Sequence, residues 1–244
     1  MRETQRGDRF VVIDDFLDPA ELTAARRMLH RASFESIESV VSAADDGRAF
    51  RSRGTYFGPE LGRPDVRGGR PAVYEKLGGV VHSEPGLYGR AERDWDRVSF
   101  AFWKYPAGSR LGWHNDAGQG RWGEFVLFLH ERWPASWGGE LLLLDVDAES
   151  LVRPDDAAPD NLLRRMEVLV ERCPSNPVAI VPKPNRLVLV RTGTIHTISR
   201  VDPVAGDNLR CTLTGFVSAH GERETNRHGG RRMVTEVLAG SATR

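Results

Sequence analysis

The stretch EFVLFLH, Glu124–His130, is an almost unbroken apolar run, and GELLLLD, Gly139–Asp145, repeats the pattern after a short turn-rich gap. Runs of this length bounded by Gly and Pro suit strands buried on both faces better than helices. Working outward, VSFAFWKY (98–105) alternates, LGWHN (111–115) is brief, and VAIVP (178–182), RLVLV (186–190), IHTIS (195–199) and RCTLTGFVS (210–218) follow. Eight strand candidates therefore lie between Val98 and Ser218. One helical pattern interrupts them, NLLRRMEVLVE (161–171), inside an insertion spanning about 147–177. Eight short antiparallel strands close naturally as two facing four-stranded sheets. The expected fold is mainly β with flanking helices: a double-stranded β-helix (jelly roll) core of eight strands, with N-terminal helices packed on one sheet.

Upstream, a strand at Phe10–Ile13 leads into a helix with Asp18 as N-cap, Pro19 at its first position and Glu21 completing a capping box. Leu22, Ala25, Leu29 and Ala32 give that helix one apolar face. Residues Ser42–Gly69 read as a long loop around a short strand near GTYFG (54–58), and PAVYEKLGGVVHSEPG (71–86) as a helix broken by its glycines and Pro85. The whole, 1–244, is expected to be a single domain: an N-terminal helical and lid region at 1–97, the core at 98–218 and a polar tail at 219–244.

Composition narrows the function classes. Lys+Arg and Asp+Glu both number 34, so net charge is zero and nothing suggests a nucleic-acid or anionic-membrane partner. Two cysteines, Cys173 and Cys211, argue against a disulfide framework. The polar start MRETQRGDRF lacks a signal-like apolar segment, and no run is long enough to span a bilayer. The expectation is a cytoplasmic protein, monomer or homodimer.

The segment GSRLGWHNDAG (108–118) places His114 and Asp116 two residues apart. With 7 His and 34 acidic residues in 244 positions, about one such match arises by chance. Three occur, the others being His82/Glu84 and His220/Glu222, so context must decide. His114 and Asp116 close the second core strand, where i and i+2 share a face. His196 lies on the seventh, which neighbours the second in a jelly roll. Two imidazoles and one carboxylate on one side of a metal form the facial triad that suits non-haem Fe(II). Taken alone, His196 also fits an ordinary packed strand residue. Arg210 opens the eighth strand facing inward, where a buried guanidinium calls for an anion such as a carboxylate co-substrate. The alternative is a strand-edge arginine paired with Asp207.

YPAGSRLGWHND, WGGELLL, IHTISRV and RCTLTGF, in this order, resemble the Fe(II)/2-oxoglutarate-dependent dioxygenases of the prolyl-4-hydroxylase-like branch, over roughly Val98–Ser218. The resemblance implies Fe(II) held by His114, Asp116 and His196. It implies 2-oxoglutarate held by Arg210, with Tyr105 and Thr212 in the same binding set, and ascorbate as a possible stimulant. Tyr105 could equally be a core aromatic, and Trp137, Gly138 and Gly139 read as a structural turn. Since related halogenases replace the carboxylate with a small residue, Asp116 favours hydroxylation, releasing succinate and CO2. The expected substrate is a small molecule, an amino acid or natural-product intermediate, with a peptide or protein prolyl residue as the alternative. Trp103, Trp113, Trp122 and Tyr56 are candidates for an apolar mouth, and Arg51 and Arg53 for an anionic group; core packing and solvation are their bland counterparts. Two other classes remain open at this stage, a non-catalytic cupin-like binding module and a zinc-dependent hydrolase.

Overall fold

The structure is a computed structural model that describes residues 1–39, 41–65, 69–118, 120–153 and 162–219. It opens with strands β1 (Arg2–Arg6) and β2 (Phe10–Asp14), then helix α1 (Pro19–Arg31). Three strands follow, β3 (Phe34–Glu38), β4 (Arg48–Ser52) and β5 (Thr55–Phe57), and then helices α2 (Ala72–Ser83) and α3 (Pro85–Tyr88). The core strands are β6 (Arg97–Tyr105), β7 (Leu111–His114), β8 (Arg121–Phe128), β9 (Leu141–Asp147), β10 (Val178–Ile180), β11 (Leu187–Arg191), β12 (Thr194–Ile198) and β13 (Arg210–Ser218). Helix α4 (Leu162–Arg172) falls between β9 and β10. Those eight are the strands expected from the sequence, and they form the expected jelly roll.

The larger sheet runs β1-β2-β11-β8-β13-β6-β4-β3, with β5 also on β6; the smaller runs β10-β9-β12-β7. The apolar run of β8 is explained by its place between two hydrophobic layers. Phe125 and Leu127 face outward, where helices α1 and α2 bring Leu29, Leu77 and Val81. Val126 and Phe128 face inward, against Leu141 and Leu143 of β9. Alternate side chains thus enter different cores, which is why Phe125–Phe128 are apolar on both faces. Helix α4, from the insertion, covers the outside of the smaller sheet, placing Met166 and Leu169 on Leu144 and Ile195.

Local signals explain α1. Asp18 accepts from Glu21 N and Glu21 accepts from Asp18 N, both at 2.8 Å, which completes the expected capping box. Two features depart from expectation. First, Gly78 and Gly79 lie within α2 without ending it. A Cβ at Gly78 would sit 2.5 Å from Leu61 O, so the residue permits backbone contact rather than a break. Second, the region before β6 supplies five strands to the larger sheet, three of them (β1, β3 and β4) in polar sequence that carried no strand pattern. β1 is exposed throughout and β3 mostly so. Among the described residues, no helix is long and apolar enough to cross a membrane, and both cysteines are free.

Asp14, at the end of β2, fastens that strand to the turn before β11. Its buried carboxylate accepts from Arg186 Nε at 2.7 Å and Lys183 Nζ at 2.9 Å. The Arg186 hydrogen bond, helped by Lys183 and opposed by burial, holds its pKa down to about 2. A depressed folded-state pKa contributes stability above the unfolded value of about 4, and that stability is lost as pH falls from about 4 to 2. Discounted for the exposed lysine, it amounts to about 1–2 kcal/mol. Asp14→Asn should lower unfolding stability by that amount at pH 7. The gap from the parent protein should close near pH 2 in urea titrations followed by circular dichroism.

Candidate active site

The two histidines meet through strand register. β12 pairs antiparallel with β7 so that His196 stands directly opposite His114, and the ring centroids are 4.2 Å apart. Each ring is oriented by its own strand: His114 Nδ1 is 2.8 Å from Gly112 O and His196 Nδ1 is 2.9 Å from Thr194 O. A carbonyl beside Nδ1 requires the proton there, leaving the Nε2 lone pair free for a metal. Burial, reinforced by the neighbouring His114, lowers the His196 pKa to about 4, so the imidazole is neutral at physiological pH.

Asp116 joins them by a different route from the one expected. β7 ends at His114, so strand pleating alone does not aim the carboxylate. Arg121, at the start of β8, holds Asp116 Oδ1 at 3.0 Å and lies 4.0 Å from the Phe216 ring. Asp116 Oδ2 then stands 3.8 Å from His114 Nε2 and 3.6 Å from His196 Nε2. Donor atoms of all three residues lie within 4.8 Å of one another. Donors about 2.1 Å from one ion are themselves about 3–4 Å apart, so the donor set fits a divalent transition metal. Burial works against the Asp116 charge, but the adjacent His114, Arg121 and His196 outweigh it and keep the carboxylate ionised.

Sequence reasoning missed Glu124. It is buried on β8, its Oε1 3.1 Å from His196 Nε2, and burial followed by the Asp116 charge pushes its carboxyl well above the usual range. A protonated Glu124 can donate to Asp116, sharing the cluster without adding a second negative charge. The signal was present, since an acid heads an otherwise apolar run, but the run was read only for fold. Asp46 was also missed. Fully buried, it accepts from Arg110 Nε and Gly112 N, both at 3.1 Å, and so secures the segment leading into the metal-ligand strand.

Arg210 is 1% exposed and stands opposite Tyr105 across the β13–β6 pair. Its guanidinium carbon lies 4.9 Å from the Phe128 ring and 5.7 Å from the Tyr105 ring, and its Nε donates to Gly139 O at 2.7 Å. Nη2 is buried with no hydrogen-bond partner, and Asp207 does not pair with it. Burial lowers the Arg210 pKa to about 10, which leaves it cationic at neutral pH. A charged, desolvated donor without a partner, on a residue that lines a cavity, fits an incoming carboxylate.

Arg210, Tyr105, Thr212, His114, Asp116 and His196 all line one cavity of about 240 Å³. Trp103, Tyr56 and Arg51 line it too, whereas Trp113 packs against α4 and Trp122 against the outer core. Arg53 is exposed and outside the cavity lining. His82 packs at a tilt against the Trp95 ring, with centroids 5.1 Å apart, and Glu84 pairs with Arg6, so that His-x-Glu pair is structural; His220 and Glu222 lie outside the described residues. Gly139 has φ of +71°, and a Cβ there would come within 2.9 Å of Arg210 Cδ. Gly139→Ala should therefore cost about 1–2 kcal/mol in thermal unfolding. A crystal structure of the variant should show the guanidinium displaced.

Residues 100–218 match the family model described as the 2OG-Fe(II) oxygenase superfamily. Comparison with curated proteins gives no match. Among solved structures, a Pseudomonas putida prolyl-4-hydroxylase is similar at 15% identity and a TM-score of 0.54, covering 86% of this chain and 93% of that one. A Trichoplax adhaerens prolyl hydroxylase, solved with a hypoxia inducible factor peptide fragment, gives 17% identity and 0.52, covering 97% and 88%. HygX from Streptomyces hygroscopicus, solved with nickel, 2-oxoglutarate and hygromycin B, gives 12% and 0.51, covering 88% and 84%. The chain thus carries the 2OG-Fe(II) oxygenase superfamily match over residues 100–218 and shares the fold of these solved oxygenases. It is a non-haem iron dioxygenase that uses 2-oxoglutarate and O2 as co-substrates.

Proposed function

We propose that the enzyme hydroxylates an unactivated C–H bond of a small molecule, an amino acid or natural-product intermediate, releasing succinate and CO2. In this reading His114, Asp116 and His196 hold the iron, and Arg210 receives the distal carboxylate of 2-oxoglutarate, with Tyr105 and Thr212 beside it. The observation that carries the co-substrate assignment is the buried, unpartnered Nη2 of Arg210 within the cavity that the triad also lines. The bound iron and co-substrate together supply oxidative decarboxylation coupled to C–H oxidation. The chain's own groups orient and shield. The Gly112 and Thr194 carbonyls fix the imidazoles, Arg121 fixes Asp116, and the apolar walls around Phe128 and Val126 exclude water from the reacting centre. The compact cavity supports a small substrate over a folded protein.

We further read residues 1–244 as a single oxygenase domain, with 1–97 serving the core at 98–218; the polar tail expected at 219–244 lies, from residue 220 on, outside the described residues. Hydrogen bonding of β2 to β11 and of β4 to β6 supports that reading.

Anaerobic calorimetry with Mn(II) should show one equivalent bound by the parent protein and none by His114→Ala or Asp116→Ala. Arg210→Ala should keep the metal but weaken 2-oxoglutarate binding by about thirtyfold or more, as expected for removing one partner of a buried charge pair. With Fe(II), ascorbate and air, the parent protein should release succinate slowly even without substrate. Undiminished succinate from Asp116→Ala would overturn the assignment. A mass-spectrometric screen of amino acids and peptides for the gain of one oxygen separates the small-molecule reading from a prolyl one.

A further inference from the structure

Among the described residues, two guanidinium groups have a buried nitrogen without a hydrogen-bond partner, Arg210 Nη2 and Arg51 Nε. Both line the same cavity. The physical argument that provides a carboxylate for Arg210 therefore applies to Arg51, while the distal carboxylate of 2-oxoglutarate is already assigned to Arg210 and its other end to the metal. We propose that Arg51 receives a carboxylate of the primary substrate, so that the enzyme acts on a small organic acid. The proposal rests on the oxygenase reading above and names the substrate class for that same site.

Other arginines of the cavity show the contrast. Arg121 is matched by Asp116 and Arg110 by Asp46, so their charges are already used within the protein. Arg97 lies against the Tyr56 ring and reaches Ser218 Oγ at 3.5 Å. The Arg51 side chain has no hydrogen bond or ion pair among the described residues. Glu35 stands opposite it in the β3–β4 register, yet the two do not pair. What Arg51 does touch is an aromatic face: its guanidinium carbon lies 5.5 Å from the Trp103 ring centroid, across the β4–β6 register. An aromatic support fixes the guanidinium plane but satisfies none of its edge donors. The Nε edge of arginine, presented this way, is a two-pronged fork that matches a planar carboxylate.

Position adds specificity. Trp103 stacks on Tyr105 with centroids 6.1 Å apart and planes 19° apart, and Tyr105 in turn faces Arg210. The order along the cavity wall is Arg51, Trp103, Tyr105, Arg210. The two cations are held apart by an aromatic pair, so each can bind its own acid.

The test uses the full chain loaded anaerobically with Mn(II) and 2-oxoglutarate. Calorimetry then follows a series of N-acetyl-L-amino acids and their carboxamides, which match in size but lack the charge. At least one acid should bind, at least tenfold more tightly than its carboxamide. Arg51→Gln should lose that acid binding by tenfold or more, while its 2-oxoglutarate affinity and melting temperature match the parent protein. Arg51→Lys, which keeps the charge without the fork, should recover the binding only in part. Equal binding of acids and carboxamides, unchanged acid binding in Arg51→Gln, or no binding of either series to protein that has taken up 2-oxoglutarate each overturns the proposal alone. Failure of the parent protein to bind 2-oxoglutarate in the first titration overturns the oxygenase reading, and this proposal with it.

Discussion

The site depends on one alignment of two strands. β7 and β12 are paired so that His114 and His196 stand opposite each other, and both rings then face into the barrel. Side chains alternate along a strand, so a slip of one residue would send an imidazole to the outer face, against α4. Register here is specified from both sides. Ile195 must enter the apolar layer under α4, while Ile198 must enter the layer around Tyr105 and Trp133. The packing that stabilises the smaller sheet is the same packing that brings the metal-binding nitrogens together. The Gly112 and Thr194 carbonyls then fix ring rotation, a freedom register alone does not remove.

The core was legible because its strands carry their environment in their composition. EFVLFLH is apolar at every position but its ends because β8 is covered on both faces, and its shortness and flanking Gly and Pro favour a strand over a buried helix. RETQR, FESIE and RAFRS also form strands, but they lie at or near sheet edges and bury little. Their conformation comes from the neighbour they hydrogen-bond with, and a linear pattern does not contain that neighbour. The glycines of α2 misled for a related reason: the role of Gly78 is contact with Leu61, seventeen residues away in sequence.

At the site, ligand identity was legible and ligand delivery was not. The spacing of His114 and Asp116 suggested a shared strand face, but the strand ends before Asp116 and Arg121 does the positioning. Glu124 escaped because its meaning lies in the three-dimensional neighbourhood of His196 and Asp116 rather than in any motif. An inward guanidinium calls for an anion, but it took the family resemblance to favour Arg210 over a strand-edge arginine. Its Nη2 is buried without a hydrogen-bond partner, which supports that reading.

The outer strands have a consequence for how the molecule behaves in a crowded solution. A nine-stranded sheet ends in two rows of backbone donors and acceptors, each a template for another polypeptide. One end is β1, a fully exposed, charged segment whose ladder with β2 is irregular between Glu3 and Gln5; the other is β3, which bears Glu35 and Glu38. The smaller sheet ends in strands of three and four residues, β10 and β7. Charge, irregularity and shortness each discourage fibril-like stacking of one copy on the next. A fold this rich in apolar β-structure thus limits its own tendency to aggregate at the very places where its sequence looked least like a strand.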